Sequence, residues 1–120
     1  MEPLRVVLYQ NDPGTAETLA VSLSQHFESV YLARSPNEVG PAIEHHRAKA
    51  LVLDLEAVDW DELERLRQDF PSLCIVGTHR LADEELWTAA VNQGASDICE
   101  PRQDDVVRSV LQGLTQRAVA

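Results

Sequence analysis

Short apolar runs alternate with longer amphipathic segments along the whole chain. The runs occupy residues 4–9, 30–33, 50–53, 74–76 and 97–99, and they are rich in Val, Ile and Leu with little polar alternation. Parallel strands that are covered on both faces have this composition. The pattern therefore predicts five buried parallel strands.

The segments between the runs carry apolar residues at helical spacing, so that each has one stripe suited to packing on a sheet. The predicted stripes are Ala16, Leu19, Ala20, Leu23 and Phe27; Val39, Ile43 and His46; Leu63, Leu66 and Phe70; Leu86 and Ala90; and Val107, Val110, Leu111 and Leu114. Because each strand is followed by such a segment, the pattern predicts a (βα)5 domain with helices on both faces of the sheet.

Residues that start and stop helices lie at the ends of these segments. Asp12-Pro13 and Ser35-Pro36 each place a good N-cap before a good first helical residue. Gly94 suits the position just after a helix end. The pair Gly40-Pro41 interrupts the second segment, and this helix is predicted to be kinked there or to start late.

Length and charge narrow the class of protein. The 120 residues predict one domain, residues 1–120, which could be a piece of a longer protein. The net charge of −10 argues against nucleic acid as a direct partner, because phosphate binding needs clustered Lys and Arg. No apolar run approaches about 18 residues and the N-terminus does not resemble a secretory signal, so we expect a cytoplasmic protein without a membrane span.

Cysteines and histidines are sparse and poorly spaced for metal binding. Cys74 and Cys99 are expected to be thiols in a reducing cytosol rather than a disulfide. His26, His45 and His46 do not have the spacing of a metal site, since His45 and His46 are adjacent on a helix and point to different faces. No metal site is predicted from these residues.

Candidate functional residues follow the predicted strands, because ligands of doubly wound sheets bind beyond the carboxyl ends of the strands. No glycine-rich phosphate loop follows the first strand, which argues against nucleotide binding, and no nucleophile elbow is present. The polar residues at these strand ends are Gln10, Asn11 and Asp12; Asp54 and Glu56; Thr78 and His79; and Glu100.

Three segments resemble the receiver domain of two-component response regulators, and the resemblance covers essentially the whole chain. Residues 5–13 resemble the family's first strand and acidic turn, and Ala50–Asp54 resembles its third strand and phosphoacceptor. Residues 94–97, followed by Glu100-Pro101, resemble its approach to the fifth strand and its Lys-Pro ending. The resemblance implies a flavodoxin-like (CheY-like) five-stranded parallel sheet of order 2-1-3-4-5 with Asp54 at the phosphoacceptor position.

The chain departs from the charges that the family's chemistry uses. Receiver domains hold Mg²⁺ with two acids after the first strand and the acceptor aspartate, and a lysine after the fifth strand pairs with the acceptor. Here Gln10 and Asn11 replace the acidic pair, and Glu100 replaces the lysine. Asp12 is one residue too far along and is better explained as an N-cap. We expect Glu100 to turn outward, because like charges repel.

Two further positions bear on the same comparison. The resemblance places the switch hydroxyl after the fourth strand at Thr78 by residue type, or at His79 by spacing. Glu56 stands where the family supplies a metal-binding carbonyl, and its carbonyl could still serve.

Together these residues predict a pseudo-receiver of the bacterial cytoplasm, without catalysis or cofactor. It would act through protein partners, such as a kinase or an output protein, or as a homodimer through the face of the fourth helix, fifth strand and fifth helix. Trp87 and Val91 lie on the flank of that helix, and exposed tryptophan is enriched at interfaces. One alternative is an atypical receiver still phosphorylated on Asp54, which would require Mg²⁺. Another is a flavodoxin-like protein that binds a small cofactor.

Overall fold

Five parallel strands form one sheet in the order β2-β1-β3-β4-β5 in the computed structural model, which describes residues 4–119 and their side chains through residue 115. The predicted flavodoxin-like order is confirmed. The strands are β1 (Arg5–Tyr9), β2 (Ser29–Leu32), β3 (Ala50–Asp54), β4 (Cys74–Thr78) and β5 (Asp97–Cys99). The helices are α1 (Pro13–Ser24), α2 (Pro36–His46), α3 (Trp60–Asp69), α4 (Glu84–Asn92) and α5 (Gln103–Val119).

Both faces of the sheet are covered, because successive strand residues point to opposite sides. Val7, Leu51 and Ile75 lie on the face that packs against α2, α3 and α4, whereas Val52 and Val76 lie on the face that packs against α1 and α5. All five residues of β3 and of β4 are buried. The two buried central strands therefore fix the positions of the polar residues that follow them.

The predicted helix ends are largely confirmed. The Asp12 carboxylate caps α1 by accepting hydrogen bonds from the backbone N–H and the hydroxyl of Thr15, at 2.9 and 2.8 Å. Gly94 follows α4 with a positive φ of 120°. The predicted late start of α2 is wrong, because α2 is continuous from Pro36 and contains Pro41. Val39 and Ile43 are buried on either side of Pro41, and this packing supports the helix.

The prediction that Leu111 of α5 belongs to the core is wrong. Leu111 is 40% exposed, whereas Val106, which was not in the predicted stripe, is fully buried. Gly113 faces β4 so closely that a Cβ at this position would lie 2.5 Å from the Cys74 sulfur. The face of α5 that meets the sheet is therefore formed by Val106, Val110 and Gly113, and Leu111 lies more than about a third of a turn from the centre of that face.

Cys74 and Cys99 lie on neighbouring strands but form no disulfide. Burial, together with the nearby carboxylates of Asp97, Asp105 and Glu100, raises the pKa of the Cys99 thiol to about 12. A thiol with such a pKa is a poor nucleophile at neutral pH. In the described part of the chain, no helix is long and apolar enough to cross a membrane.

Candidate functional site

A polar pocket of about 380 Å³ lies at the carboxyl ends of β1, β3 and β4. Asp54 ends β3 and is 8% exposed. The pocket is lined by Gln10, Asn11, Asp12, Thr15, Asp54, Glu56, Thr78, Arg80 and Pro101. The fold thus brings together most of the polar residues that the sequence placed at strand ends, and it adds Arg80.

The Asp54 carboxylate is held by backbone donors from two loops. Its Oδ2 accepts a hydrogen bond from the Asn11 N–H at 3.0 Å, and its Oδ1 accepts one from the Glu56 N–H at 2.9 Å. Bonds of this kind to a charged acceptor are stronger than neutral ones. Asp54 therefore ties the loop after β1 to the loop after β3, whatever its chemical role.

A hydrogen bond between Gln10 and Thr78 crosses the pocket above β3. The Gln10 Nε2 donates to the Thr78 hydroxyl at 2.7 Å, and the two residues are 8% and 1% exposed. Since β3 separates β1 from β4 in the sheet, this bond joins strands that are not neighbours. An amide can make this bond as a donor, which a carboxylate at position 10 could not do.

Thr78 and His79 point to different places, because successive residues at a strand end alternate in direction. Thr78 lines the pocket, whereas His79 lines a separate cavity of about 320 Å³ beside α4. The His79 Nδ1 accepts a hydrogen bond from the Leu81 N–H at 2.9 Å. Of the two candidate switch residues, only Thr78 has access to Asp54.

Arg80 provides a cation at the pocket that the sequence analysis missed. Its Nε lies 2.9 and 3.2 Å from the two Glu56 carboxylate oxygens, and its Nη2 lies 2.8 Å from Oε1. These hydrogen bonds lower the pKa of Glu56. They also raise the pKa of Arg80, to which the charge of Asp54 adds a smaller contribution. Among the described pocket residues, Arg80 is the only cation.

The carboxylates at the pocket, which are the type of oxygen ligand that Mg²⁺ prefers, are each bound by donors of the protein itself. Asp12 caps α1, and its two hydrogen bonds from Thr15 lower its pKa. Glu56 is bound to Arg80, and both Asp54 oxygens accept backbone hydrogen bonds. Among the described residues there is also no group of three His, Cys, Asp or Glu side chains placed to hold a metal ion.

Glu100 lies outside the pocket lining and pairs with Arg102, whose Nε is 3.0 Å from the Glu100 carboxylate. The Glu100 side chain is 43% exposed. The neighbouring Pro101 lines the pocket in its place. The carboxylate therefore avoids Asp54 by turning toward solvent, as like-charge repulsion favours.

A network of hydrogen bonds joins α4, β5 and α5 away from the pocket. The Trp87 indole N–H donates to the Asp97 carboxylate at 3.1 Å, and the Ser109 hydroxyl donates to the same carboxylate at 2.5 Å. Trp87 is still 45% exposed, and Val91 is half-buried. The network fixes a large aromatic ring at the surface.

The Glu56–Arg80 pair should make folding stability depend on pH. Because its folded pKa is lowered, Glu56 contributes stability above its unfolded pKa of about 4.3, and this contribution is lost as pH falls through the folded value. Relative to Glu56→Gln, the wild type should lose more unfolding free energy between about pH 5 and pH 3 in urea titrations. Parallel curves over this range would contradict the pairing.

Comparison with known proteins identifies the fold. No family model and no curated protein sequence matches the chain. A CheY-like response regulator receiver domain protein from Methanospirillum hungatei is 16% identical, with 98% of each chain covered and a TM-score of 0.83. A two-component response regulator from Clostridium difficile is 15% identical, covering 98% of this chain and 99% of that one, with a TM-score of 0.80.

A longer protein contains the same fold. NtrX from Brucella abortus, solved in complex with ADP, is 16% identical, covering 98% of this chain and 28% of that one, with a TM-score of 0.85. These identities are low, but the shared topology extends over nearly the whole chain. This chain has the CheY-like fold of response regulator receiver domains.

Proposed function

We propose that this chain is a receiver-like signalling domain of a two-component pathway that no longer uses Mg²⁺-dependent phosphorylation of Asp54. The observation that carries the proposal is that the pocket's polar groups already bind one another. Asp54 accepts two backbone N–H groups, and Gln10 donates to Thr78. The protein's own groups therefore order the pocket.

The charge of the pocket supports the same proposal. The neutral Gln10 and Asn11 stand where the family's acidic pair is expected, and the cation expected at Glu100 is replaced by an acid that faces solvent. A phosphoryl group develops negative charge that needs nearby cations or a metal for stabilisation. The residues after β1 and β5 are therefore poorly suited to phosphoryl transfer, and we assign the domain no catalysis.

Signalling would then depend on protein partners in the bacterial cytoplasm. We assign the contact to the α4–β5–α5 face, where the exposed ring of Trp87 is fixed by Asp97. Fixed aromatic side chains make good anchors, because little conformational entropy is lost when they are buried. The partner would be a kinase, an output protein or a second copy of this chain.

Arg80 favours a second candidate function, an atypical receiver that is still phosphorylated on Asp54. Its guanidinium lies at the pocket, and the negative charge of Asp54 contributes to its raised pKa. Arginine binds phosphoryl oxygens through two parallel hydrogen bonds. After phosphorylation, Arg80 could leave Glu56 and pair with the phosphoryl group.

Treatment with acetyl phosphate, or with beryllofluoride and Mg²⁺, separates the two candidates. We expect no phosphoryl adduct by intact-mass spectrometry and no beryllofluoride-dependent change in amide NMR shifts near Asp54, because the pocket lacks a suitable metal site. A receiver domain with the full acidic set, treated in parallel, shows that the reagents are active.

An adduct that is absent in Asp54→Asn would overturn the pseudo-receiver proposal and support the atypical receiver. In that case Arg80→Ala should reduce the extent of modification, since it removes the pocket's cation. A partner of the pseudo-receiver should bind wild type and Asp54→Asn equally, and should bind Trp87→Ala more weakly.

A further inference from the structure

We propose that the Glu56–Arg80 pair is a latch that fastens the loop between β4 and α4, residues 79–83, to the pocket and thereby holds the exposed Leu81 in place. The pseudo-receiver proposal, which assigns partner binding to the α4–β5–α5 face, does not use this loop. The latch does not depend on whether Asp54 accepts a phosphoryl group, because it consists of contacts between the protein's own side chains and main chain.

The register of the sheet creates the latch. Asp54 of β3 is paired with Thr78 of β4, and the Leu55 N–H continues the ladder by donating to the Thr78 carbonyl at 3.0 Å. Glu56 and Arg80 are each two residues beyond that pair, so they leave the sheet side by side. Each charged residue is the same number of residues beyond the end of its strand, and the two strands are parallel neighbours. The opposite charges of Glu56 and Arg80 are therefore brought into contact.

One carboxylate holds both the main chain and the side chain of Arg80. Glu56 Oε2 accepts the Arg80 backbone N–H at 3.1 Å, while the guanidinium binds both carboxylate oxygens at 2.9 and 3.2 Å from Nε. A single surface ion pair contributes little, because solvent screens it and both side chains lose entropy. Here the additional backbone bond fixes the path of the loop, which an ordinary surface pair does not do.

A tight turn that is closed by hydrogen bonds connects Arg80 to the start of α4. The Leu81 N–H donates to His79, and the Asp83 N–H donates to the Leu81 carbonyl at 2.8 Å. Asp83 in turn caps α4 by accepting the Leu86 N–H at 2.9 Å. A short series of hydrogen bonds therefore connects Glu56 to α4 along the whole loop.

Leu81 is the residue that this loop displays. It is 72% exposed, more than any other large hydrophobic side chain with a described burial. It borders the cavity of about 320 Å³ that also contacts Leu86 and Ala89 on α4. An exposed leucine beside an apolar cavity would fold inward or sample many positions if its backbone were released.

The latch also connects Leu81 to Asp54. The Glu56 N–H is bound by Asp54, and the Glu56 carboxylate binds Arg80, the neighbour of Leu81. A change in the charge or hydrogen bonding of Asp54 can therefore reach the surface through two adjacent contacts. A loop of few buried contacts is the kind of element that such a local change can open.

Residue-resolved hydrogen exchange on the full chain tests the latch. In Glu56→Gln we expect the amides of Arg80 and Leu81 to exchange roughly threefold to tenfold faster than in wild type, because a neutral amide binds the Arg80 donors more weakly. Arg80→Gln should accelerate exchange at Leu81 in the same way, and Asp54→Asn should do so to a smaller extent. Exchange in β3 and β4 should remain unchanged.

The Glu62–Arg65 ion pair on α3 provides a matched control, since its N–O distance is 3.3 Å and it joins the same types of side chain. Glu62→Gln should leave exchange in residues 79–83 unaltered. Unchanged exchange of this loop in both Glu56→Gln and Arg80→Gln would overturn the latch. So would faster exchange that extends equally into β3 and β4, because it would indicate general destabilisation.

Discussion

Gln10→Glu is expected to destabilise the domain by about 3 kcal/mol near neutral pH and by much less near pH 4. Gln10 is 8% exposed and lies in the same pocket as Asp54. Two carboxylates about 5 Å apart repel by about 3 kcal/mol at an effective dielectric of about 20. The substitution also reverses the hydrogen bond with Thr78, because a carboxylate at position 10 can only accept from the Thr78 hydroxyl.

The pH dependence has a definite sign. The introduced carboxyl would have a folded pKa above its unfolded value of about 4.3, so the protonated form is favoured in the folded state. Its penalty is therefore absent well below about pH 4, grows as pH rises and is complete above the folded pKa. Urea unfolding at about pH 4 and about pH 7 measures both limits.

Gln10→Met is the control for the lost hydrogen bond, because methionine has a similar length and no charge. It should cost about 1 kcal/mol at both pH values. If Gln10→Glu were as stable as wild type near neutral pH, the side chain would have to leave the pocket, and the buried Gln10–Thr78 bond would not be a constraint on residue 10. Recovery of stability on adding Mg²⁺ would show that one acid is enough to restore cation binding.

Gly94→Ala is expected to destabilise the domain by about 2–6 kcal/mol. Gly94 has a φ of 120°, which side chains rarely adopt, and an added Cβ would lie 2.6 Å from the Arg67 Cβ. The backbone strain costs about 1–3 kcal/mol and the overlap a similar amount. The Gly94 carbonyl also accepts a hydrogen bond from Arg67 Nε at 2.8 Å, so the two residues cannot easily separate.

Gly40→Ala is a control in which the same change meets no strained backbone. Gly40 lies inside α2, where it precedes Pro41, and an added Cβ would meet no atom within 4 Å outside its two chain neighbours. Alanine favours a helix over glycine by about 0.5–1 kcal/mol, but the Pro41 ring disfavours the helical conformation of a preceding residue that has a Cβ. The two effects oppose each other, so Gly40→Ala should change the stability of the domain much less than Gly94→Ala does. Equal effects of the two substitutions on the urea midpoint would contradict the backbone geometry at Gly94.

The fold could be predicted because strands buried on both faces produce continuous apolar runs that are easy to recognise. Helix boundaries were also accessible where a capping residue was present, as at Asp12 and Gly94. The errors arose where packing decides the outcome. Leu111 fits a helical stripe as well as Val110 does, but the close approach of Gly113 to β4 determines which side of α5 meets the sheet.

The site was harder to predict, because its key contact depends on register between strands. Arg80 was overlooked because the cation was sought only at the position of Glu100. The pairing of Asp54 with Thr78 makes Glu56 and Arg80 neighbours, yet neither residue is informative alone. A search for opposite charges at equal distances past adjacent parallel strands would have found them. The bond between Gln10 and Thr78 required the strand order as well.

The two tryptophans of the chain lie on two separate surfaces of the domain. Trp60 begins α3 at the end of the loop that carries Glu56 and is 39% exposed, whereas Trp87 is bound to Asp97 on α4 and is 45% exposed. Because indole emission responds to the polarity of its surroundings, single Trp→Phe variants would yield two spectrally independent reporters. Events at the pocket side and at the α4 face could then be timed separately by label-free fluorescence, with one variant for each.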